Sequence, residues 1–314
     1  MSGYHMTEEE KEYLAQYDIA DYERPSIATD MAVFSIMEDE EESETEKNRS
    51  AKNYRKMPES KMKLLLIRRG GYPYKDCWAL PGGFCQKNED VYETARRELY
   101  EETNVAHAYL QPVGMFGEVG RDPRGWIISH TFMALMDGKQ CKLRAGSDAW
   151  EAHWFDLWVE KTEKERKVQE DTAVLVNEYV LKMQYGEIFL QAKITEQKEF
   201  KQYHETTTYQ ITDSQGLAFD HGKLILCAYL SLQRQVEQDG KLVFDLMPET
   251  FTLTELQKAF EIILNRPLVI ANFRRKMADY VIETDQIEEG AGHRPAKKFK
   301  RNVEAFYGRG ALRY

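Results

Sequence analysis

The 314-residue chain lacks most features that would set it apart from ordinary globular proteins. It has only four cysteines, Cys77, Cys85, Cys141 and Cys227, with no CxxC pair and no histidine at zinc-finger spacing. A disulfide scaffold is therefore excluded, and a reducing, cytoplasmic compartment is expected. Nine prolines are too few for a collagen-like or low-complexity chain. The longest apolar patches, such as residues 64–67, fall far short of a membrane span, and the start, MSGYHMTEEEKEY, has no basic region followed by an apolar one. The expectation is a protein that is neither exported nor bound to a membrane. Lysine and arginine are outnumbered 43 to 53, a formal net charge of −10. That argues against a uniformly basic nucleic-acid binder, though not a locally basic one. The seven histidines form no metal pair at helical spacing, and no GxSxG elbow, Walker-type loop or dinucleotide fingerprint occurs.

What is present suffices for a folded core. Hydrophobic residues make up 42% and aromatics 12%, over a length suited to one long domain or two ordinary ones. Residues 1–21 read as an N-terminal tail. An acidic run, EDEEESETE, passes into lysines and arginines between two strand-like segments, 31–36 and 63–67, which predicts a solvated hairpin insertion over 38–62. The Trp-rich segment 149–158 reads as the last strand of a first unit, 22–160. The charged stretch 162–183, with Val174, Val176, Tyr179, Val180 and Met183 as its apolar stripe, predicts a helix. Alternation of Thr, Tyr and Phe over 188–211 predicts a strand pair. Together these make 161–215 an insertion. A third unit, 216–314, holds helix candidates at 221–236, 252–264 and 268–280. The second opens on a capping box of Thr252 and Glu255, and Asn265 and Pro267 mark its end.

The most informative stretch is PGGFCQKNEDVYETARRELYEETNV, residues 81–105. Pro-Gly-Gly makes a turn in which backbone can approach a ligand closely. Asn88, Glu89 and Asp90 then suit a helix N-terminus. Glu98, Glu101 and Glu102 stand at i, i+3 and i+4, within an arc of roughly 100°. Three carboxylates on one face are ligands for a hard divalent cation. Moreover, Glu102 falls at about +40° from Glu98, between Val91 near +20° and Ala95 near +60°. A glutamate inside an apolar stripe needs compensation, which a metal supplies.

This segment resembles the Nudix box, G-x5-E-x7-R-E-U-x-E-E-x-G-U, through Gly83, Glu89, Arg97, Glu98, Leu99, Glu101, Glu102 and Val105. Its one departure is Asn104 in place of glycine, at a position that needs a left-handed backbone, which asparagine tolerates best after glycine. The resemblance implies an α/β fold, an α/β/α sandwich, and metal-dependent hydrolysis of a nucleoside diphosphate derivative. By position, Glu98, Glu101 and Glu102 with Gly82 would hold Mg²⁺ or Mn²⁺, and Glu89 would pair with Arg97. The family often takes a further glutamate as base, for which Glu118 and Glu151 are both candidates.

Downstream, GEVGRDPRGWIIS places Arg121 and Arg124 in a Gly/Pro-rich loop, where guanidinium forks suit phosphates. RDPRG, LLIRRG and WALPGGF are similar to the ADP-ribose branch of the Nudix proteins. That likeness implies ADP-ribose as ligand, with Arg68, Gly83, Phe84, Arg121 and Arg124 as substrate-binding residues and AMP and ribose 5-phosphate as products.

The charge is uneven. Residues 251–314 hold 12 Lys+Arg against 8 Asp+Glu, a net of +4, which leaves −14 for the other 250. In ANFRRKMADY, Asn272 precedes Arg274, Arg275 and Lys276. A Gly-rich turn and HRPAKKFKR, with Arg294, Lys297 and Lys298, then resemble a wing. The order is that of a winged helix-turn-helix with its last helix in the major groove. LAFDH, FTLTELQKAFEIIL, NFRRK and GHRPAKKFKR are similar to the C-terminal domain of the Nudix-related transcriptional regulators of NAD metabolism. That family implies ADP-ribose binding, operator DNA and a homodimer. Two readings stand side by side: a Nudix hydrolase with a DNA-binding accessory domain, favoured by the intact carboxylates, and an ADP-ribose-sensing transcriptional regulator.

Overall fold

The computed structural model describes residues 5–38, 60–106, 108–140, 149–169, 171–288 and 296–306. Most of the predicted hairpin insertion, Arg294 and Cys141 lie outside them. No helix among the described residues is long and apolar enough to cross a membrane. A short helix, α1 (Glu8–Gln16), precedes the body, and none of its residues is buried.

The body is a sheet of ten strands. Strands β1 (Ser26–Glu38), β2 (Ser60–Arg69), β3 (Trp78–Ala79), β4 (Gly82–Phe84), β5 (Tyr109–Phe116) and β6 (Ile127–Leu135) form its first half. β7 (Ala149–Gln169), β8 (Thr172–Tyr185), β9 (Ile188–Lys201) and β10 (His204–Gln215) form the second. The spatial order is β10-β9-β8-β7-β2-β1-β6-β5, with β3 added to β2 and β4 to β1. β1 and β6 run parallel; the other pairs are antiparallel. β7 is shared between the halves. Its first part, up to Asp156, pairs with β2, and its remainder, from Asp156 on, pairs with β8. The Asp156 carboxylate accepts hydrogen bonds from Lys61, at 3.2 Å, and from Lys63, tying the hand-over point to β2.

The helix expected over 162–183 is therefore corrected to two strands. Its charged first part, TEKERKVQ, alternates no apolar face and so imitates an exposed helix. In the structure it is the outer end of a hairpin closed by Gln169 opposite Thr172. The second part carries period-two burial, Asn177, Tyr179, Leu181 and Met183, matched on β9 by Leu190, Ala192, Ile194 and Glu196. Valine-rich sequence in register with a partner strand prefers the pleated surface, and that preference depends on neighbours invisible in a local window. The strand pair expected over 188–211 is present as β9 and β10.

Each face of the sheet carries a helix. On one, α2 (Val91–Thr103) packs Ala95 and Leu99 onto Met31, Val33, Leu65, Phe132 and Ala134. On the other lies α3 (His221–Gln238), whose Leu224, Ile225 and Ala228 share a core with Phe34, Leu64, Met133, Leu181 and Ile194. A Cβ on Gly222 would overlap that of Ala192, so helix and sheet meet at backbone distance there. The sequence pattern assigns this helix to the winged-helix unit; in the structure it is the third layer of the sandwich. Its length and apolar stripe fit either place, and only the sheet's second exposed face decides between them.

Beyond it come a 3-10 turn (Lys241–Leu246), β11 (Phe251–Thr252), α4 (Leu253–Leu264), α5 (Ile270–Met277), β12 (Val281–Glu288) and β13 (Ala296–Arg301). The small sheet has the order β11-β13-β12. Thr252 and Glu255 form the expected capping box, and Asn265 closes α4 in the left-handed conformation. The first helical piece of the winged helix is the 3-10 turn. α3 lies against it and is bonded to α4 by Tyr229 and Gln233, both of which donate to the Ile263 carbonyl, at 3.3 and 2.8 Å.

Candidate functional site

The box forms the loop and helix its spacing predicts. Asp90 caps α2, its carboxylate accepting from the N–H groups of Tyr92 and Glu93, while Glu93 reaches back to the Asp90 N–H. At the other end Asn104 has φ 62° and ψ 22° and donates its N–H to the Tyr100 carbonyl. Asparagine thus takes the left-handed position expected of it. Gly83 is needed for a different reason: a Cβ there would collide with the Glu98 carboxylate.

Glu89 and Arg97 form the expected pair. Arg97 donates Nε–H and Nη2–H to the two Glu89 oxygens at 2.6 and 2.9 Å, and Nη2–H also to the Phe84 carbonyl at 3.2 Å. The guanidinium holds the Glu89 carboxyl below the usual range. It goes further, donating to Glu98 at 2.6 Å and Glu101 at 3.1 Å. Glu102 accepts from the Gly82 N–H at 2.7 Å. Burial pushes its carboxyl up to about 8, and the charges of Glu98 and Asp30 add to the push. Burial likewise raises Glu98, with Arg97 opposing it. The donor chemistry fits a hard divalent cation, since two crowded, desolvated carboxylates beside Asp30 are what such an ion compensates. Among the described residues, however, no three such groups stand within reach of one ion. Arg97 holds two of them.

Next to the carboxylates lies a concave pocket lined by Asp30, Arg69, Gly82, Gly83, Phe84, Arg121, Asp122, Arg124, Phe219 and His221, among others. Gly83, Phe84, Arg121 and Arg124 are thus gathered as the sequence suggested. Arg68 is not: it points to Glu151, at 3.1 Å, and Asp76, at 3.5 Å, and its neighbour Arg69 lines the pocket instead. The two alternate across the strand, and a register shift against β7 falls between them. Neither candidate base lines the pocket. Glu118 pairs with Lys223 at 2.8 Å, and Glu151 with Arg68 and, at 3.4 Å, His153.

Of the pocket's three guanidinium groups, two are matched by acids and the third, Arg69, donates to the Pro73 carbonyl at 2.9 Å. Arg121, 6% exposed at its side chain, donates to both Asp220 oxygens, at 3.1 and 2.7 Å. Burial opposes ionisation of Asp220, but the Arg121 bonds outweigh it and hold the carboxyl below its usual range. Arg124 is held by Asp122 and lies 5.0 Å from the Phe84 ring centre and 5.2 Å from that of Phe219; Arg69 lies 4.8 Å from Phe219. Guanidinium groups over aromatic faces make a surface both cationic and flat. Asp30 accepts from Ser129 and stands 3.6 Å from Nε2 of His221. His221 accepts the Leu80 N–H at Nδ1, 2.9 Å, and burial lowers its pKa, so the imidazole is neutral at pH 7.

Phe219, Asp220 and His221 escape the sequence pattern because LAFDH reads as the approach to the C-terminal domain. The segment is instead stitched to β3: the Trp78 N–H donates to the Gly216 carbonyl and the Ala218 N–H to that of Trp78, both at 2.8 Å. In the sequence Asp220 reads as an ordinary N-cap residue, so nothing in the triplet marks it as part of a pocket.

In the C-terminal unit, Asn272, Arg274, Arg275 and Lys276 are all exposed on α5, while Phe273 and Met277 anchor it. Lys297 is exposed and Lys298 half-buried on β13; Lys297 pairs with Glu283.

Residues 56–176 match the model of the NUDIX domain, and residues 243–300 that of the NrtR DNA-binding winged helix domain. The chain is 30% identical over 295 residues to the ADPR responsive transcriptional repressor NtrR of Acinetobacter baylyi, covering 93% of this chain and 88% of that one. It is 44% identical over 95 residues to the ADP-ribose pyrophosphatase of Methanocaldococcus jannaschii, spanning 30% of this chain and 55% of that enzyme. A crystal structure of a MutT/nudix family protein from Enterococcus faecalis matches with a TM-score of 0.65 over 95% of this chain and 94% of that one, at 24% identity. Shewanella oneidensis NrtR complexed with a 27mer DNA matches with a TM-score of 0.54 over 88% and 94%, at 21% identity. At such identities these two speak for the fold. Fold and pocket together define a Nudix domain joined to a winged helix. More narrowly, the chain belongs to the NrtR family.

Proposed function

We propose that the pocket binds ADP-ribose and that the chain is a DNA-binding transcriptional regulator responsive to it. The observation that carries this reading is α3, whose approach and first residue line the pocket and whose later turns are bonded to the winged helix. Identity along nearly the whole length of an ADPR responsive repressor supports it. The pocket suits the ligand: Arg69, Arg121 and Arg124 complement a pyrophosphate, and the Phe84 and Phe219 rings offer flat faces to base or ribose. On DNA, α5 would enter the major groove with Asn272 on base edges, while Arg274, Arg275, Lys276 and the wing residues Arg294, Lys297 and Lys298 take phosphates. A homodimer would read two half-sites. The test is a gel shift at stated salt, with duplexes from upstream of NAD-synthesis or pentose-use genes, with and without ADP-ribose. The expected result is a sequence-specific shift that ADP-ribose alters; no specific shift at moderate salt overturns the regulator.

A second activity is favoured by one observation, the complete REUxEE carboxylate set beside the pocket. In this reading Glu98, Glu101, Glu102 and the Gly82 carbonyl would hold Mg²⁺ or Mn²⁺, which when bound would supply Lewis-acid polarisation of the pyrophosphate and a more acidic water. Arg97 keeps α2 on the Gly-rich loop through Glu89 and the Phe84 carbonyl, and its bonds to Glu98 and Glu101 would have to give way for those carboxylates to hold the ion. Local identity to an ADP-ribose pyrophosphatase supports this. A substrate panel with Mg²⁺ tests it. AMP and ribose 5-phosphate from ADP-ribose, abolished in Glu101→Gln, is the expected outcome; no turnover on any nucleoside diphosphate derivative leaves a sensor without hydrolysis.

A further inference from the structure

The residues just before α3 hold an unusual position. Phe219 has φ +50°, a left-handed backbone that a bulky side chain seldom adopts. Its ring is clasped from several sides, 4.7 Å from Tyr74 and against Arg69, Arg124 and His221. Asp220 stands at the N-cap of α3 without making a cap hydrogen bond, because its oxygens face Arg121 and, at 3.3 Å, Lys223. The three guanidinium groups that hold Phe219 and Asp220 are therefore the three that face the pocket. A ligand phosphate that takes Arg121 takes it from Asp220, and one that draws Arg69 or Arg124 takes it from the Phe219 ring.

The path of the chain beyond Asp220 makes this competition consequential. α3 is one uninterrupted helix of 18 residues, about 27 Å long. Beyond its middle, Tyr229 and Gln233 both donate to the Ile263 carbonyl near the end of α4, and Glu237 pairs with Arg266 at 3.3 Å. α4 in turn packs Phe260 against Phe273 of α5, ring centres 5.3 Å apart. Helix ends bonded at both sites transmit a shift rather than absorb it.

We propose that Phe219 and Asp220 form a latch on α3. An anionic ligand opens it by recruiting Arg121, Arg69 and Arg124, and the freed first turn repositions the winged helix through the Ile263 contact. The latch rests on the reading that the pocket binds ADP-ribose and the winged helix binds DNA.

The experiment measures, on the full chain, the DNA dissociation constant with and without saturating ADP-ribose, and separately the ADP-ribose affinity. Wild type is expected to change DNA affinity on ligand binding by a factor within about 5–150. Gln233→Ala and Tyr229→Phe lie away from the pocket; each should keep the ADP-ribose affinity and bring that factor toward one, by about threefold or more. Asp220→Asn should give ligand-free protein the DNA affinity of the liganded wild type. Phe219→Gly, which suits φ +50° without strain, should do the same and serves where Asp220→Asn does not fold. A factor equal to wild type in Gln233→Ala, Tyr229→Phe and Phe219→Gly overturns the latch and leaves the regulator standing. A wild type that binds both ligands with no change in DNA affinity overturns the regulator, and the latch with it.

Discussion

The molecule has two sets of cationic side chains, and they are treated in opposite ways. In the pocket Arg121 and Arg124 each face an acid, and Arg69 and Arg124 lie over aromatic rings. On α5, by contrast, Arg274, Arg275 and Lys276 are exposed, and none makes an ion pair among the described residues; Arg275 donates to Asn272 at 3.2 Å. The first set suits a ligand of defined shape, since fixed groups bind without reordering. The second is left to solvent, as suits a polyanion bound by counterion release. Net charge, −14 outside the last 64 residues and +4 within them, follows the same division.

The contrast can be broken most sharply at α5. Replacing Arg274, Arg275 and Lys276 together by alanine should weaken DNA binding on the order of 100- to 1,000-fold and lower the salt slope by about 3, with ADP-ribose affinity unchanged. Anisotropy titrations over a salt series read both. If slope and affinity hold, α5 does not carry the phosphate contacts.

The next effect concerns buried charge. With its carboxyl raised to about 8 from the usual 4.5, Glu102 binds its proton more tightly folded than unfolded. That contribution is fully present below the unfolded value and is lost as pH rises through 8. In EDTA, urea unfolding should show Glu102→Gln more stable than wild type at pH 9, by roughly 3–5 kcal/mol, and the difference should vanish below about pH 4. A difference independent of pH would mean that the site keeps Glu102 ionised without metal.

Arg124→Ala should raise the ADP-ribose dissociation constant about tenfold or more, as for loss of a charge-assisted hydrogen bond, and, because Arg124 also holds the Phe219 ring, should move DNA affinity without ligand toward that of liganded wild type. Calorimetry beside a gel shift separates the two. The smallest effects belong to Asn104, where φ 62° allows glycine with a change within about 0.5 kcal/mol, while valine should cost about 1–2 kcal/mol. Thermal unfolding measures both.

Legibility in the sequence tracks how local each feature is. The box can be read because α2 carries its own signals: a cap, a period, carboxylates one turn apart and an asparagine suited to a left-handed end. Arg69 is harder to read, because the doublet Arg68-Arg69 leaves open which member faces the ligand, and a register shift against β7 settles it. The 162–183 segment misleads for a related reason. Glutamate and lysine at a hairpin's outer end favour no period, and pairing with β9 decides the conformation.

The sequence by itself determined the carboxylate helix, the place of Phe84, Arg121 and Arg124 at the pocket, the capping of α4 and the basic C-terminal region, since each depends on residues a few positions apart. Tertiary structure alone decided that α3 is a layer of the sandwich, and that Asp220 reaches back about 100 residues to Arg121 and His221 about 140 to Leu80 and about 190 to Asp30. Contacts of that span follow from which sheet face is left to cover. That is a property of the folded whole, which no local window contains.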